Sequence, residues 1–159
     1  MKCEILAVGK IKERYFVEGI SEYSKRLLPI FPISVREVAD KAMAEGAAPA
    51  LVNKAVAVEG EALLSLIDDD AVVVALAIEG RQLSSPELAK KLNEWSALGV
   101  RKLVFIIGGS WGLAPAVLKR ADFQLSFGKA TYPHQMMRLI LCEQIYRAVK
   151  INRNEPYHK

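Results

Sequence analysis

The chain has 159 residues, 52% of them hydrophobic and 25% charged, with a formal net charge of +4. That length and balance suit a single domain over residues 1–159 with a core of its own, and they exclude a disordered chain. The longest unbroken apolar run, Ala71 to Ile78, is far short of a membrane span, and Glu4 interrupts the apolar start that a signal peptide would need, so a soluble, cytoplasmic protein is expected.

Lys2 to Val8 reads as a first strand, with Gly9 to Lys12 as its exit loop. Arg14 to Leu28 reads as a helix, because Phe16, Ile20, Tyr23 and Leu27 recur on one face, and Pro29 and Pro32 end it. Ile33 to Val38 alternates as a second strand. Ala39 to Ala48, alanine-rich and without a period, is expected to be a mobile loop. A helix follows from Pro49 to Ile67, then a turn at Asp68 to Asp70, whose three acids have no neighbouring pattern of metal ligands. Ala71 to Ile78 has the continuous apolar character of a parallel strand buried on both faces, ended by Glu79-Gly80.

Ser84-Ser-Pro-Glu87 is a capping signal for a helix that runs to Leu98 and stops at Gly99. Leu103 to Ile107 is a fourth strand, Pro115 to Ala121 a short helix, Gln124 to Phe127 a fifth strand and His134 to Val149 the last helix, leaving Ile151 to Lys159 as a tail. Strands and helices alternate throughout, the pattern of an α/β fold with a parallel sheet flanked by helices on both faces. Cys3 and Cys142 have no metal-ligand spacing and read as two small buried hydrophobes.

Two glycine-containing loops leave buried strands close together in sequence: Gly108-Gly-Ser-Trp-Gly112 and Phe127-Gly-Lys-Ala-Thr-Tyr-Pro-His134. In an open α/β sheet ligands bind at that end of the strands, and glycine lets them approach the main chain. Trp111 could stack on a base or pack in the core. The whole excess of positive charge falls in residues 129–159, where Lys129, Arg138, Arg147, Lys150, Arg153 and Lys159 face only Glu143 and Glu155. Such clustering points either to a polyanion partner or to a solvated basic tail. The last helix is apolar over most of its circumference, so one side is expected on its own sheet and the other on a second copy. His134 and Arg138 fall within its apolar face, where the arginine needs either an internal carboxylate or a nucleotide or cofactor near the adjoining loop.

Gly108-Gly-Ser-Trp-Gly112 also matches G-x-S-x-G, and Asp122 and His134 follow in hydrolase order, so a serine hydrolase using Ser110 is a remote alternative. The chain after Ser110 is short for that fold, and Pro115 starts the next helix too late for a nucleophile elbow. The full G-x-G-x-x-G is absent and no P-loop lysine follows the glycines, which argues against dinucleotide and nucleoside triphosphate sites.

Phe105-Ile-Ile-Gly-Gly-Ser-Trp-Gly-Leu113, Leu125-Ser-Phe-Gly-Lys-Ala-Thr-Tyr-Pro-His-Gln-Met-Met-Arg138, Glu143-Gln-Ile-Tyr-Arg-Ala148 and the closing Pro156-Tyr-His-Lys159 resemble the RlmH family, small SPOUT-class methyltransferases of large-subunit ribosomal RNA. Ile5-Leu-Ala-Val-Gly-Lys10 fits as well, while residues 39–58 match loosely. The resemblance implies S-adenosylmethionine as methyl donor, N3 of a pseudouridine as acceptor, a homodimer and a C-terminal trefoil knot; the lack of metal-ligand spacing leads to the expectation of no metal. The resemblance assigns the donor to Leu76, Gly108, Gly109 and the run Phe127, Gly128, Lys129, Ala130, Thr131 and Tyr132. Moving a methyl group to a ring nitrogen requires alignment and loss of the N–H proton, so a base or a charge-steadying cation is expected. Arg138, Arg147, Tyr157 and His158 are the catalytic candidates, with Tyr157 suited to stacking on the base. The tail that carries Tyr157 and His158 is expected to reach the donor pocket of the partner as readily as its own. The non-catalytic alternative is an RNA-binding or ribosome-assembly factor that uses the same basic end.

Overall fold

In the computed structural model, which describes residues 1–159, each apolar run becomes a strand of one sheet. β1 (Lys2–Val8), β2 (Ile33–Val38), β3 (Val72–Gln82), β4 (Lys102–Ile107) and β5 (Phe123–Ser126) lie in the order β2-β1-β4-β3-β5, and every neighbouring pair is parallel. Side chains alternate between the two faces. Cys3, Ile5 and Ala7 of β1, with Leu103, Phe105 and Ile107 of β4, meet α1 (Arg14–Leu27), α3 (Ser85–Ala97) and α5 (His134–Asn152). Leu6, Val8, Val73, Val104 and Ile106 meet α2 (Pro49–Leu64) and α4 (Pro115–Arg120) on the other face. Burial on both sides is why β1, β3 and β4 carry continuous apolar runs.

α3 starts as its sequence requires. The Ser84 hydroxyl accepts from the Glu87 N–H and the Glu87 carboxylate accepts from the Ser84 N–H at 2.7 Å, a closed capping box. Gly99, at φ +78°, ends the helix. Below the lower edge of α2 the second sheet face is closed by charge: Glu4, only 6% exposed, binds Lys102 at 2.8 Å and Arg36 at 3.1 Å.

Several boundaries depart from the sequence reading. α2 stops at Leu64 rather than Ile67, and β5 runs from Phe123 to Ser126, one residue earlier than expected. α5 continues to Asn152, where the Asn152 side-chain amide donates to the Ala89 carbonyl of α3 at 2.8 Å. β3 passes through Glu79-Gly80 instead of ending there. It pairs with β5 up to Leu76↔Leu125, detours, and rejoins at Arg81↔Leu125. Gly80 permits the return: a Cβ there would sit 2.8 Å from the Gln124 carbonyl. No helix is long and apolar enough to cross a membrane.

Candidate functional site

The C-terminal ends of β3, β4 and β5 open into a cavity of about 590 Å³, within the range of small-molecule sites. Leu76, Gly108, Gly109, Phe127, Gly128, Ala130, Thr131 and Tyr132 all line it, whereas Lys129 lies outside the lining with its side chain in solvent. Sequence reasoning placed Pro133 and His134 in the second loop without assigning them to the donor, and it missed Ala77 and Ile78 on the β3 detour and Met137 at the start of α5 as further wall residues. Their signal was present in part: Met137 sits on the apolar stripe of the helix.

Internal hydrogen bonds shape the two loops. Gly109 and Gly112 form a tight turn in which the Gly112 N–H donates to the Gly109 carbonyl at 3.1 Å. Gly108 lies under that turn, so close that a Cβ would stand 2.5 Å from the Gly112 carbonyl oxygen. Ser110 and Trp111 occupy the tip. Trp111 is 47% exposed, which removes core packing from its two readings. The second loop pivots on Ser126, whose buried hydroxyl accepts from the Gly128 N–H at 3.2 Å, while Gly128 takes φ +109°. The lining carries few polar side chains, Ser110, Ser126, Thr131, Tyr132 and His134, beside small and apolar ones.

Arg138 lies beneath the loops and is fully buried. Its guanidinium binds Glu37 at 2.7 Å and donates to the Val8 and Gly9 carbonyls, each at 2.7 Å. Of the two partners foreseen for this arginine, the structure contains the internal carboxylate. Its role as a cation facing the reacting base is therefore corrected: Nη1 and Nη2 are engaged inside the fold, where they tie α5 to the ends of β1 and β2, and Nε is buried with no hydrogen-bond partner. His134 borders the cavity, and burial followed by the Arg138 charge lowers its pKa below the usual 6.5, against the opposing pull of Asp40, Glu13 and Glu59. It is a neutral imidazole at pH 7. Burial pushes the Cys142 thiol up to about 12, so it is an inert core residue.

The other catalytic candidates stand elsewhere. Arg147 binds Glu143 at 2.6 Å, and Tyr157 donates to the same carboxylate at 3.2 Å while its ring lies 4.7 Å from the Arg147 guanidinium. Tyr157 also meets Tyr146 edge to face at 4.9 Å. The tail thus folds back on its own α5. Arg147 lies roughly 20 Å along the helix from His134 at 1.5 Å per residue, and His158 is exposed beside it. None of Arg147, Tyr157 and His158 lines the cavity of its own chain. Most cations of the basic end are ion-paired: Arg138 with Glu37, Arg147 with Glu143, and Lys150 and Arg153 both with Glu155.

The hydrolase alternative fails on geometry. Asp122 sits at the opposite end of the sheet from Ser110, accepting from the Val73 N–H at 2.8 Å and paired with Arg120. No group of three or more His, Cys, Asp or Glu side chains is placed to hold a metal ion.

A family model described as "Predicted SPOUT methyltransferase" matches residues 1–158. Among curated proteins, "Ribosomal RNA large subunit methyltransferase H" of Carboxydothermus hydrogenoformans is 56% identical, and the proteins of the same name from Bifidobacterium adolescentis and Levilactobacillus brevis are 54% and 49% identical. Each match covers 100% of both chains.

Proposed function

The chain belongs to the SPOUT methyltransferase family, and on that premise we propose that it methylates N3 of a pseudouridine in large-subunit ribosomal RNA, with S-adenosylmethionine as donor, as a cytoplasmic homodimer acting on the assembled ribosome. The observation that carries the reading is the cavity at the strand ends, walled by two glycine-containing loops. The donor would be held by Leu76, Gly108, Gly109 and the segment Phe127 to Tyr132, where adenine and ribose meet carbonyls, amides and small side chains. S-adenosylmethionine supplies a sulfonium-bound methyl group open to in-line displacement by a nitrogen.

The acceptor side belongs to a second copy. Tyr157 and His158 cannot serve the cavity of their own chain while the tail lies on α5, so in this reading the partner's tail reaches it across a twofold interface. Tyr157 stacks on the flipped base, Arg147 steadies charge on the ring carbonyls, and His158 takes the N3 proton. A C-terminal trefoil knot formed by the two loops and α5 belongs to the same reading.

Calorimetry with S-adenosylhomocysteine, paired with transfer of labelled methyl groups to large ribosomal subunits that lack the modification, tests the proposal. Micromolar binding and transfer are expected. Binding of RNA without any affinity for the demethylated donor would leave the non-catalytic factor as the better reading.

A further inference from the structure

We propose that the RNA phosphates are taken by Lys10, Lys12 and Lys41, on the exit loops of β1 and β2, rather than by the basic C-terminal helix. The inference rests on the methyltransferase reading above and assigns the face that the RNA meets.

The argument starts from which cations are free. In the C-terminal fifth four of the six basic residues are already paired with carboxylates, and only Lys129 and Lys159 are not. Lys10, Lys12 and Lys41 are exposed, and none has a carboxylate within the 4.0 Å of an ion pair. The parallel sheet sends the β1 and β2 loops out side by side, at the same end as the cavity. Gly9 touches the cavity wall directly: a Cβ there would lie 3.4 Å from Nε2 of His134.

The second observation concerns the main chain under these lysines. The Ile11 N–H, between Lys10 and Lys12, donates to Glu37 at 3.1 Å. The Lys12 N–H donates to the Gln135 side chain at 3.2 Å. The Lys41 N–H donates to Glu59 at 2.7 Å, and Glu59 is 5% exposed, with its other oxygen 3.6 Å from where a Gly109 Cβ would stand. Side chains of α2, β2 and α5 therefore clamp the backbone at each free lysine and leave the ammonium groups in solvent. Asp40, which is exposed, and Glu13 are the neighbouring acids. Asp40 faces Gly9, and Glu13 turns one buried, unpartnered oxygen inward. Fixed backbone with unpaired cations is a preorganised site for a chain of phosphates, since less ordering entropy is lost on binding.

Binding to purified large ribosomal subunits, measured over a series of salt concentrations, tests this directly. If each lysine neutralises one phosphate, Lys10→Ala/Lys12→Ala/Lys41→Ala should reduce the slope of log K against log salt by about 2 to 2.7, at roughly 0.7 to 0.9 per phosphate. The Lys→Arg triple variant should keep the wild-type slope, and both should bind S-adenosylhomocysteine as the wild type does. Lys150→Ala/Arg153→Ala should change the slope by less than about 0.7, the effect of a single phosphate. An unchanged slope in the alanine triple variant, or an equal reduction from the C-terminal pair, overturns the assignment. So does a flat salt response of a wild type that still binds S-adenosylhomocysteine, which would leave the reading of the cavity standing. A wild type that does not bind S-adenosylhomocysteine refutes that reading and this one together.

Discussion

Replacing Gly108 by alanine tests how the first loop shapes the cavity. The new Cβ would lie 2.5 Å from the Gly112 carbonyl oxygen, 2.7 Å from its carbon and 3.1 Å from Cγ of Leu113. Real Cβ contacts essentially never fall under 3.0 Å, so the Gly109–Gly112 turn must shift by at least 0.5 Å. Overpacking of this kind costs about 1 to 3 kcal/mol. The turn is exposed and leaves the sheet, so it can open without unfolding the core, and the melting temperature should fall by only a few degrees. A ligand that needs the closed turn must restore it, and 1 to 3 kcal/mol corresponds to a roughly 5- to 150-fold weaker Kd. Calorimetry with S-adenosylhomocysteine measures that loss. Gly46→Ala is the control: Gly46 takes φ +80° with open space around it, so it carries backbone strain remote from the cavity and should bind normally. A folded Gly108→Ala protein with wild-type affinity would falsify the role given to the turn.

Arg138→Met should destabilise the fold by about 3 kcal/mol, the low end for breaking a buried pair because Glu37 is partly exposed, and denaturant titration checks it; a stable variant that has lost only activity would restore a catalytic role. His134 has a folded pKa below its unfolded 6.5, so its contribution is fully present above pH 6.5 and is lost as pH falls toward the folded value; melting curves should show an acid decline beginning near pH 6.5 that His134→Gln flattens. Deleting residues 156–159 should spare donor binding and dimer formation but stop transfer, and mixing that chain with Gly108→Val chains should recover activity in heterodimers; mixed dimers that stay inactive rule out a shared site. Ser84→Ala should cost about 1 kcal/mol of stability, as for a lost N-cap, and leave donor affinity unchanged.

The strands and most helix starts were legible because local physics sets them: a two-sided apolar run at Leu103–Ile107, and a capping box at Ser84–Glu87. The cavity walls were half legible, since glycines after buried strands mark main-chain approaches wherever they occur. What escaped depends on distance in sequence. The partner of Arg138 is 101 residues away on β2, and nothing local to either residue names the other. The surplus of positive charge near the C-terminus is real in composition, yet it does not mark free cations: Arg138, Arg147, Lys150 and Arg153 are all ion-paired, on Glu37, Glu143 and Glu155. β3 was cut short at Glu79-Gly80 because glycine usually ends a strand, whereas Gly80 lets this one return to β5.

The detour in β3 bears on how a flat ring can be recognised with almost no side-chain chemistry. Leu76 and Arg81 both register with Leu125, so the four residues between them have no place in the ladder, and two of these, Ala77 and Ile78, border the cavity. An unladdered stretch of strand beside a cavity presents unpaired amides and carbonyls, and here it stays open to solvent, with Ile78 61% exposed. A planar heterocycle seated there would act as a surrogate strand, matching its rim of donors and acceptors to the amides and carbonyls of the detour. Selectivity would then reside in hydrogen-bond register, as it does between neighbouring strands, and side-chain changes along residues 77–79 would alter affinity little so long as the detour kept its length and its glycine at 80.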